Sequence, residues 1–402
     1  MKKILYISTA FPKERESSTI YTDLAVALVE NGYQVTVVAA EEKKNAGKTE
    51  VVNERGCRIL RVVTGNHYNV GIIEKGITYL RLSYQLKAAI KKYLSNEIYD
   101  LILFSSPPTT LAGVVEMAKK MYKAPAFLMM KDIFPQNAVD IGMMRAGSLV
   151  HRFFQMKEKK MYEAADKIGC MSEGNRRYIA EHSGISYQKS TIFPNTKRIQ
   201  PLKNKDLSIR NKYKIPQDKV VFVFGGNMGR PQGMDFLIKA ILECNKVEKA
   251  FFILVGRGTE REKVKTALSY SKNVQVLDNL PRDEYEQLIT SCDVGIVSLD
   301  HRFTIPNYPS RILSYMEYAM PVLAATDANT DFKELIKEAE CGYWCESDDT
   351  SAFVQSVSSF CENADLRITM GTNGRRYLEE HFCVEKSVEI LQELQENRKE
   401  RI

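Results

Sequence analysis

The 402-residue chain has little of what dedicated metal or cofactor chemistry needs. Its five histidines, His67, His151, His182, His301 and His381, stand apart, and no pair has metal-ligand spacing. The eight cysteines are scattered. Their one close pair, Cys341 and Cys345 in CGYWC, lacks both the CxxC spacing and a neighbouring His of a zinc site. Buried, reduced thiols of a cytoplasmic protein are expected instead. No GxGxxG follows the first strand, where ISTAFPK stands, which disfavours a nicotinamide or flavin dinucleotide. No GxxxxGK[ST] occurs either. No stretch reaches the ~18 uninterrupted apolar residues of a membrane span. The opening MKKILYIS breaks off at Pro and charge, so it reads as a β-strand and not as a signal peptide.

What is present is a long chain of ordinary globular composition, enough for two domains of roughly 200 residues. Its net charge of +7 is unevenly spread. Residues 1–200 carry 30 Lys and Arg against 19 Asp and Glu, a net +11, and the rest carry 27 against 31, a net −4. A basic first half implies an anionic partner such as a membrane surface, lipid phosphate or nucleic acid. No interleaving of aromatic and basic residues supports nucleic acid.

Apolar strands alternate with amphipathic helices. Strands are expected at 4–8, 34–40, 58–63, 101–104, 126–130 and 167–171, with helices at 19–31, 79–94, 114–121 and 148–165. This βαβ alternation predicts a parallel, doubly wound sheet. Residues 200–219 are polar, basic and aperiodic, and read as an inter-domain connection. A second series follows: VVFVFGG, a helix at 235–245, AFFILVG, a helix at 260–270, VQVLDNL, a helix at 283–291, VGIVSL, then TIPNYPSRILSYMEYAMPVLA at 304–324. Two such domains are expected to hold a ligand at facing strand ends.

Several strand-end loops are candidates for chemistry. GGNMGRPQGM (225–234) and VGRGTERE (255–262) each join a strand to a helix with glycines and an Arg, a combination suited to a diphosphate; a ligand-free Gly-rich turn is the alternative. In SSPPTT (105–110) the serines either contact substrate or cap the next helix. In KDIFPQN (131–137) Lys131 is expected to depress the pKa of Asp132; a cap or salt bridge is the alternative. The helix at 151–167 combines Phe153, Phe154 and Met156 with Arg152, Lys157, Lys159 and Lys160, which fits a membrane-surface helix or one packed by its Phe side.

Taken in order, MKKILYIS with LAVALVENGYQVTVVA, then MSEGNRRYIAEHSG, STIFPNT, GGNMGRPQGMDFLIKA, ILVGRGTERE, VQVLDNLPRDEYEQLITSCDVGIVSL and PSRILSYMEYAMPVLA resemble the GT-B glycosyltransferases. The resemblance, to retaining glycosyltransferase family 4, covers nearly the whole chain. SSPP with KDIFPQNAVDIG is similar to the subgroup of bacterial surface-polysaccharide enzymes typified by O-antigen and capsule N-acetyl-L-fucosamine transferases. It implies an α/β fold of two Rossmann-like domains. Residues 1–199 would bind acceptor, 200–385 would bind nucleotide sugar, and a helix at 386–402 would pack back toward the first domain.

The resemblance also implies a function. A hexosyl or N-acetylhexosaminyl group would move with retention from a UDP-sugar to an undecaprenyl-diphosphate-linked saccharide. No cofactor or metal is expected, and the enzyme would lie peripherally on the cytoplasmic face of the bacterial plasma membrane through helices near 75–94 and 145–162. Asp132, Arg230 and Arg311 would be catalytic. Gly226, Asn227, Gln232, Arg257, Asn279, Leu280, Pro309, Ser310 and Ser314 would bind donor, and Ser18, Ser106 and Lys131 would lie on the acceptor side.

The chain departs from the family pattern. Asn227 and Gln232 stand where Arg and Lys are common. Pro306 and Ser314 occupy the slots of a Glu pair, with Glu317 the one carboxylate left on that helix. Lys131 replaces a strand-end His, and Ser17-Ser18 are the nearest small residues to an absent Gly-Gly. A non-hydrolysing UDP-sugar epimerase and an inactive nucleotide-sugar-binding subunit are the competing readings.

Overall fold

The computed structural model describes residues 2–16, 18–45, 47–66 and 71–399; Ser17 and His67 lie outside them. The chain divides into two compact units, Met1–Arg198 with Val384–Ile402, and Ile199–Cys383.

The first unit runs β1 (Lys3–Ser8), α1 (Ile20–Glu30), β2 (Gln34–Glu42), β3 (Glu50–Glu54), β4 (Cys57–Thr64), α2 (Ile72–Tyr93), β5 (Leu101–Ser106), α3 (Ala112–Tyr122), β6 (Ala126–Met130), α4 (Gln136–Asp140), α5 (Leu149–Ala164), β7 (Lys167–Cys170), α6 (Glu173–Ser183) and β8 (Ser190–Ile192). Its eight strands lie in the order β3-β4-β2-β1-β5-β6-β7-β8. The pairing is parallel throughout except for β3, an antiparallel partner of β4 at the edge. The sequence reading missed β3 because EVVNE is short and charged, a composition common in edge strands. Thr19 and Thr22 cap α1 reciprocally, each hydroxyl accepting the other's backbone N–H. The buried face of α1, Leu24, Ala25, Ala27 and Leu28, joins Tyr6, Val35 and Val37 in the core.

The second unit runs α7 (Ser208–Lys212), β9 (Val220–Asn227), α8 (Met234–Glu243), β10 (Ala250–Arg257), α9 (Arg261–Ala267), β11 (Val274–Leu277), α10 (Arg282–Ser291), β12 (Val294–Ser298), α11 (Arg311–Glu317), β13 (Val322–Thr326), α12 (Phe332–Glu338), β14 (Gly342–Glu346), α13 (Thr350–Glu362) and α14 (Ala364–His381). Six parallel strands follow the order β11-β10-β9-β12-β13-β14. A last helix, α15 (Val384–Lys399), returns to the first unit, where Val384, Val388 and Leu391 are buried against α1 and the sheet.

The polar 200–219 stretch is more than a connection. Within it α7 buries Ile209 and the Arg210 guanidinium, which donates to the Ser291 carbonyl and pairs with Asp293 at 2.8 Å. A buried Arg held by a carbonyl and a carboxylate docks a segment whose composition looks like a linker.

Each sheet reverses its winding direction once. In the first the reversal lies between β1 and β5, in the second between β9 and β12. The loops leaving neighbouring strands at such a point diverge and open a crevice beyond their carboxyl ends.

Candidate functional site

In the second unit the carboxyl end of β9 carries Phe224, Gly225 and Gly226. Arg311, the first residue of α11, lays its guanidinium over the Phe224 ring, with Cζ 4.1 Å from the centroid. It is half-buried, and no carboxylate pairs with it among the described residues. The cation-rich face of a guanidinium on an aromatic ring leaves its in-plane N–H groups free for an anion. Burial holds its pKa below the usual value, against the opposing influence of Tyr315 and Tyr285. One helical turn on, the Tyr315 hydroxyl accepts the Gly225 N–H at 3.3 Å and lies 3.1 and 3.2 Å from the Val223 and Ile296 carbonyls. It thereby ties α11 to the ends of β9 and β12.

The glycines serve the protein's own packing. A Cβ on Gly225 would sit 1.9 Å from the Tyr285 hydroxyl, and one on Gly226 would sit 3.3 Å from Nη2 of Arg311. In the neighbouring loop a Cβ on Gly256 would strike the Gly226 carbonyl oxygen at 2.0 Å, and one on Gly258 the Met228 carbonyl oxygen at 2.3 Å. The two Gly-rich loops therefore lie backbone to backbone, and their glycines are required before any ligand is considered.

Around this centre the anticipated donor residues vary in availability. Arg230 is exposed and partly neutralised by Glu260 at 3.8 Å, whereas exposed Arg257 has no ion pair among the described residues. Gln232 Oε1 accepts from Gly229 N–H and from Asn227 Nδ2, so these two polar residues brace one loop. Asn279 is exposed, with Nδ2 3.5 Å from the Leu280 carbonyl, and Leu280 packs partly against the core. The 303–310 segment is pinned from behind. Asn329 Nδ2 donates to the Phe303 carbonyl, Thr330 Oγ1 donates to the Asn307 carbonyl, and Tyr308 packs edge-on against Phe332. Pro306 is buried, Pro309 and Ser314 are half-buried, and Ser310 is exposed.

Ser310 precedes α11 without a side-chain capping bond. One reading of this helix is corrected. Glu317 does not restore a carboxylate to the site. It is buried at the far end of α11, where Oε1 accepts the Gln200 N–H at 3.0 Å.

In the first unit, the winding reversal is marked by Ser8 at the end of β1 and Ser106 at the end of β5. Both are buried, and neither Oγ has a hydrogen-bond partner among the described residues. The capping role considered for SSPPTT does not hold, since the short turn after Pro108 and α3 both start without a side-chain cap. Beside these strand ends lies a recess of about 260 Å³. Thr9, Tyr21, Thr78, Pro107, Lys131 and Asp132 are among its lining residues. Buried polar groups normally find partners, so orphaned hydroxyls at the edge of a recess point to a ligand or water.

Lys131 and Asp132 follow β6. The Lys131 ammonium lies 5.4 Å from the Phe193 ring centroid, and desolvation lowers its pKa to about 7. The Asp132 pKa is not depressed by its neighbour. Although the side chain reaches solvent, the protein mass around it desolvates the charge and raises it to about 6. Ser18 is half-buried ahead of α1.

Sequence reading missed Phe224, Tyr285, Ser8 and Tyr6, whose buried hydroxyl also lacks a partner among the described residues. The one available signal was Tyr285, an aromatic set among charges in PRDEYEQ.

Elsewhere on the first unit, α2 exposes Ile77, Leu80 and Tyr84, which share one helical face, and α5 exposes Leu149, Val150 and Met156. Phe154 instead packs on Phe134, with ring centroids 4.9 Å apart. Seven of the eight cysteines are buried, and none forms a disulfide among the described residues. Burial pushes the Cys341 and Cys345 thiols up to about 12. Among the described residues, no helix is long and apolar enough to cross a membrane, and no group of three or more His, Cys, Asp and Glu is placed to hold a metal ion.

Comparison with known proteins places two family models in tandem. Residues 17–196 match Glycosyltransferase Family 4, and residues 205–377 match Glycosyl transferases group 1. The chain is 25% identical over 298 residues to a probable glycosyltransferase, WbjE, of Pseudomonas aeruginosa, spanning 72% of each chain. It is 21% identical over 202 residues to the putative colanic acid biosynthesis glycosyl transferase WcaI of Escherichia coli, spanning 49% of each. Anabaena HepE, solved with UDP-glucose, superposes with a TM-score of 0.71 at 16% identity, over 98% of this chain and 100% of that one.

Proposed function

This chain belongs to the GT-B glycosyltransferases of the group 1, family 4-like type, and from that premise we propose that it transfers a hexosyl or N-acetylhexosaminyl group from a UDP-sugar to a lipid-linked saccharide with retention of configuration. One observation carries the reading: an Arg without an ion pair, Arg311, is stacked on Phe224 at the carboxyl end of β9, where the winding reverses. A fixed cation there stabilises the negative charge that builds on the departing UDP oxygen. Arg257 adds charge from the adjoining loop, and Arg230, shared with Glu260, adds less. Backbone around Asn279 and Leu280 holds the base, with Gly226, Asn227, Gln232, Pro309, Ser310 and Ser314 bordering the diphosphate and sugar.

The bond from the sugar anomeric carbon to the phosphate oxygen breaks on the face where the acceptor hydroxyl enters. That hydroxyl forms the new bond to the anomeric carbon, its proton passes to a phosphate oxygen, and UDP departs. No carboxylate is needed for the proton, which accommodates Pro306 and Ser314 in place of a Glu pair. The recess of the first unit, lined by Lys131 and Asp132 with Ser106 buried next to its Pro107 wall, takes the acceptor saccharide, and the net positive charge of residues 1–200 favours the anionic membrane surface where a lipid-diphosphate acceptor resides. The HepE complex supports a UDP-sugar donor, and WcaI supports surface-polysaccharide synthesis, with O-antigen or capsule assembly as the setting.

The test is UDP release from a panel of UDP-sugars with and without an undecaprenyl-diphosphate-linked acceptor. Release that depends on acceptor supports transfer. Interconversion of UDP-sugars without release would make the protein an epimerase, and binding without turnover would make it an inactive partner subunit.

A further inference from the structure

We propose that Tyr285 is a second donor to the nucleotide's phosphate group, acting beside Arg311. The proposal rests on the reading of the β9 end as a nucleotide-sugar site and adds a residue to it. Tyr285 projects from α10, and its hydroxyl lies over Gly225, at the position where a side chain on that residue would start. Arg311 projects from α11 and fills the equivalent place over Gly226. Two polar side chains from different helices thus cover consecutive glycines at one strand end. They are close enough for the Arg311 charge to act on the Tyr285 phenol.

The surroundings distinguish this phenol from a structural one. The neighbouring Tyr315 hydroxyl is buried and engaged with the backbone of Val223, Gly225 and Ile296. The Tyr285 side chain is half-buried, and its hydroxyl has no hydrogen-bond partner among the described residues. Tyr315 fixes the strand end, and Tyr285 is left with an uncommitted O–H. Burial keeps that phenol protonated, with its pKa up at about 12 despite the nearby cation, so at neutral pH it donates. A guanidinium and a phenol O–H lying over adjacent glycines suit the oxygens of a phosphate group, which accept from both. A neutral sugar hydroxyl gains much less from an unpaired cation. The diglycine is needed because any side chain at Gly225 would displace Tyr285.

Titration calorimetry on the whole protein, with UDP and separately with uridine, tests this. Tyr285→Phe keeps the ring and removes the donor. It is expected to weaken UDP binding by about ten- to a hundredfold, the effect of one hydrogen bond to a charged group, and to leave uridine binding and the melting temperature unchanged. The double variant Y285F/R311K is expected to lose less than the sum of the single losses, as two groups serving one anion do. Unchanged UDP affinity in Y285F, an equal loss for uridine, or strict additivity would overturn the assignment of Tyr285. Failure of the wild-type protein to bind UDP at all would overturn the nucleotide site itself.

Discussion

Arg311 and Phe224 form a cation–π pair, with the guanidinium carbon 4.1 Å from the ring centroid, and no carboxylate competes for that cation among the described residues. An Arg so placed is oriented in advance by an apolar surface, which costs it less ordering when a ligand arrives. By contrast, Arg230 is exposed and shares its charge with Glu260. Arg311→Ala should therefore lower kcat/KM by about 100-fold or more, since it removes charge stabilisation that peaks as UDP departs. Arg230→Ala should lower it by less than about tenfold. Steady-state kinetics of both variants decide the ranking; wild-type turnover in both would remove phosphate binding from this end of the sheet.

Phe224 itself is fully buried in the core of the second unit, so shortening it tests position and stability together. Phe224→Leu should cost about 1–2 kcal/mol of stability as a large core side chain is trimmed. It should also raise the KM for donor about three- to tenfold, because Arg311 loses its platform, an interaction of about 0.5–2 kcal/mol. Thermal denaturation and donor titration separate the two effects. A fall in melting temperature with unchanged KM would mean that Arg311 keeps its place without the ring.

Much of this was legible in the sequence. Apolar strands bounded by Gly or Pro, with amphipathic helices between, fixed the βαβ alternation, because strands buried on both faces must be apolar throughout. The strand ends also marked where polar groups gather, and Ser106, Lys131 and Asp132 stand at such ends, whereas Arg311 opens α11. The hidden parts depend on which side chain fills which space. Gly225 and Gly226 read as phosphate-approach glycines, yet Tyr285 and Arg311, 60 and more residues away in the chain, occupy the space they vacate. Glu317 read as a spare carboxylate, but its own helix turns it toward Gln200. Spacing along one helix cannot reveal either contact.

The role of Glu317 is accordingly structural. Its carboxylate accepts the Gln200 N–H while its backbone carbonyl accepts from Arg375 Nη1 at 2.7 Å, so one residue joins α11, α14 and the start of the second unit. Glu317→Ala should destabilise the protein by about 1–3 kcal/mol, the cost of losing the hydrogen bond to the Gln200 N–H and the packing of a buried side chain, while the Arg375 bond to the backbone carbonyl is kept. The donor KM should stay within twofold of wild type. A variant with an unchanged melting point and lost turnover would reinstate Glu317 as a site residue.

Membrane attachment offers a separate test. On α2, Ile77, Leu80 and Tyr84 are exposed on the same helical face, and Arg81 is exposed beside them. Apolar side chains flanked by positive charge suit the headgroup boundary of an anionic bilayer. Flotation with vesicles containing anionic lipid should recover the wild-type protein at low salt and much less at 0.5 M salt. L80E/Y84E should float poorly in both and still release UDP with a detergent-solubilised acceptor. Equal flotation with neutral and anionic vesicles would rule out the electrostatic part.

A pH effect on stability follows from Glu158 on α5. Burial raises its carboxyl to about 7 against the opposing hydrogen bond from the Tyr162 hydroxyl at 2.8 Å. The Tyr178 phenol lies within reach of this carboxylate and of Asp140, and both act on it. A carboxyl whose pKa is higher in the folded than in the unfolded chain binds its proton more tightly when folded. Its contribution to stability is complete below about pH 4.5 and is lost as pH rises through about 7. The wild-type protein should therefore lose about 1–2 kcal/mol from this group between those values, less than the full shift because the side chain still reaches solvent. Glu158→Gln carries no titratable proton and should be the more stable protein at pH 8, with a flatter profile between pH 5 and 7.5. Urea titrations of both proteins across that range measure the difference directly. Parallel profiles would show that Glu158 titrates in the folded chain as it does in the unfolded one.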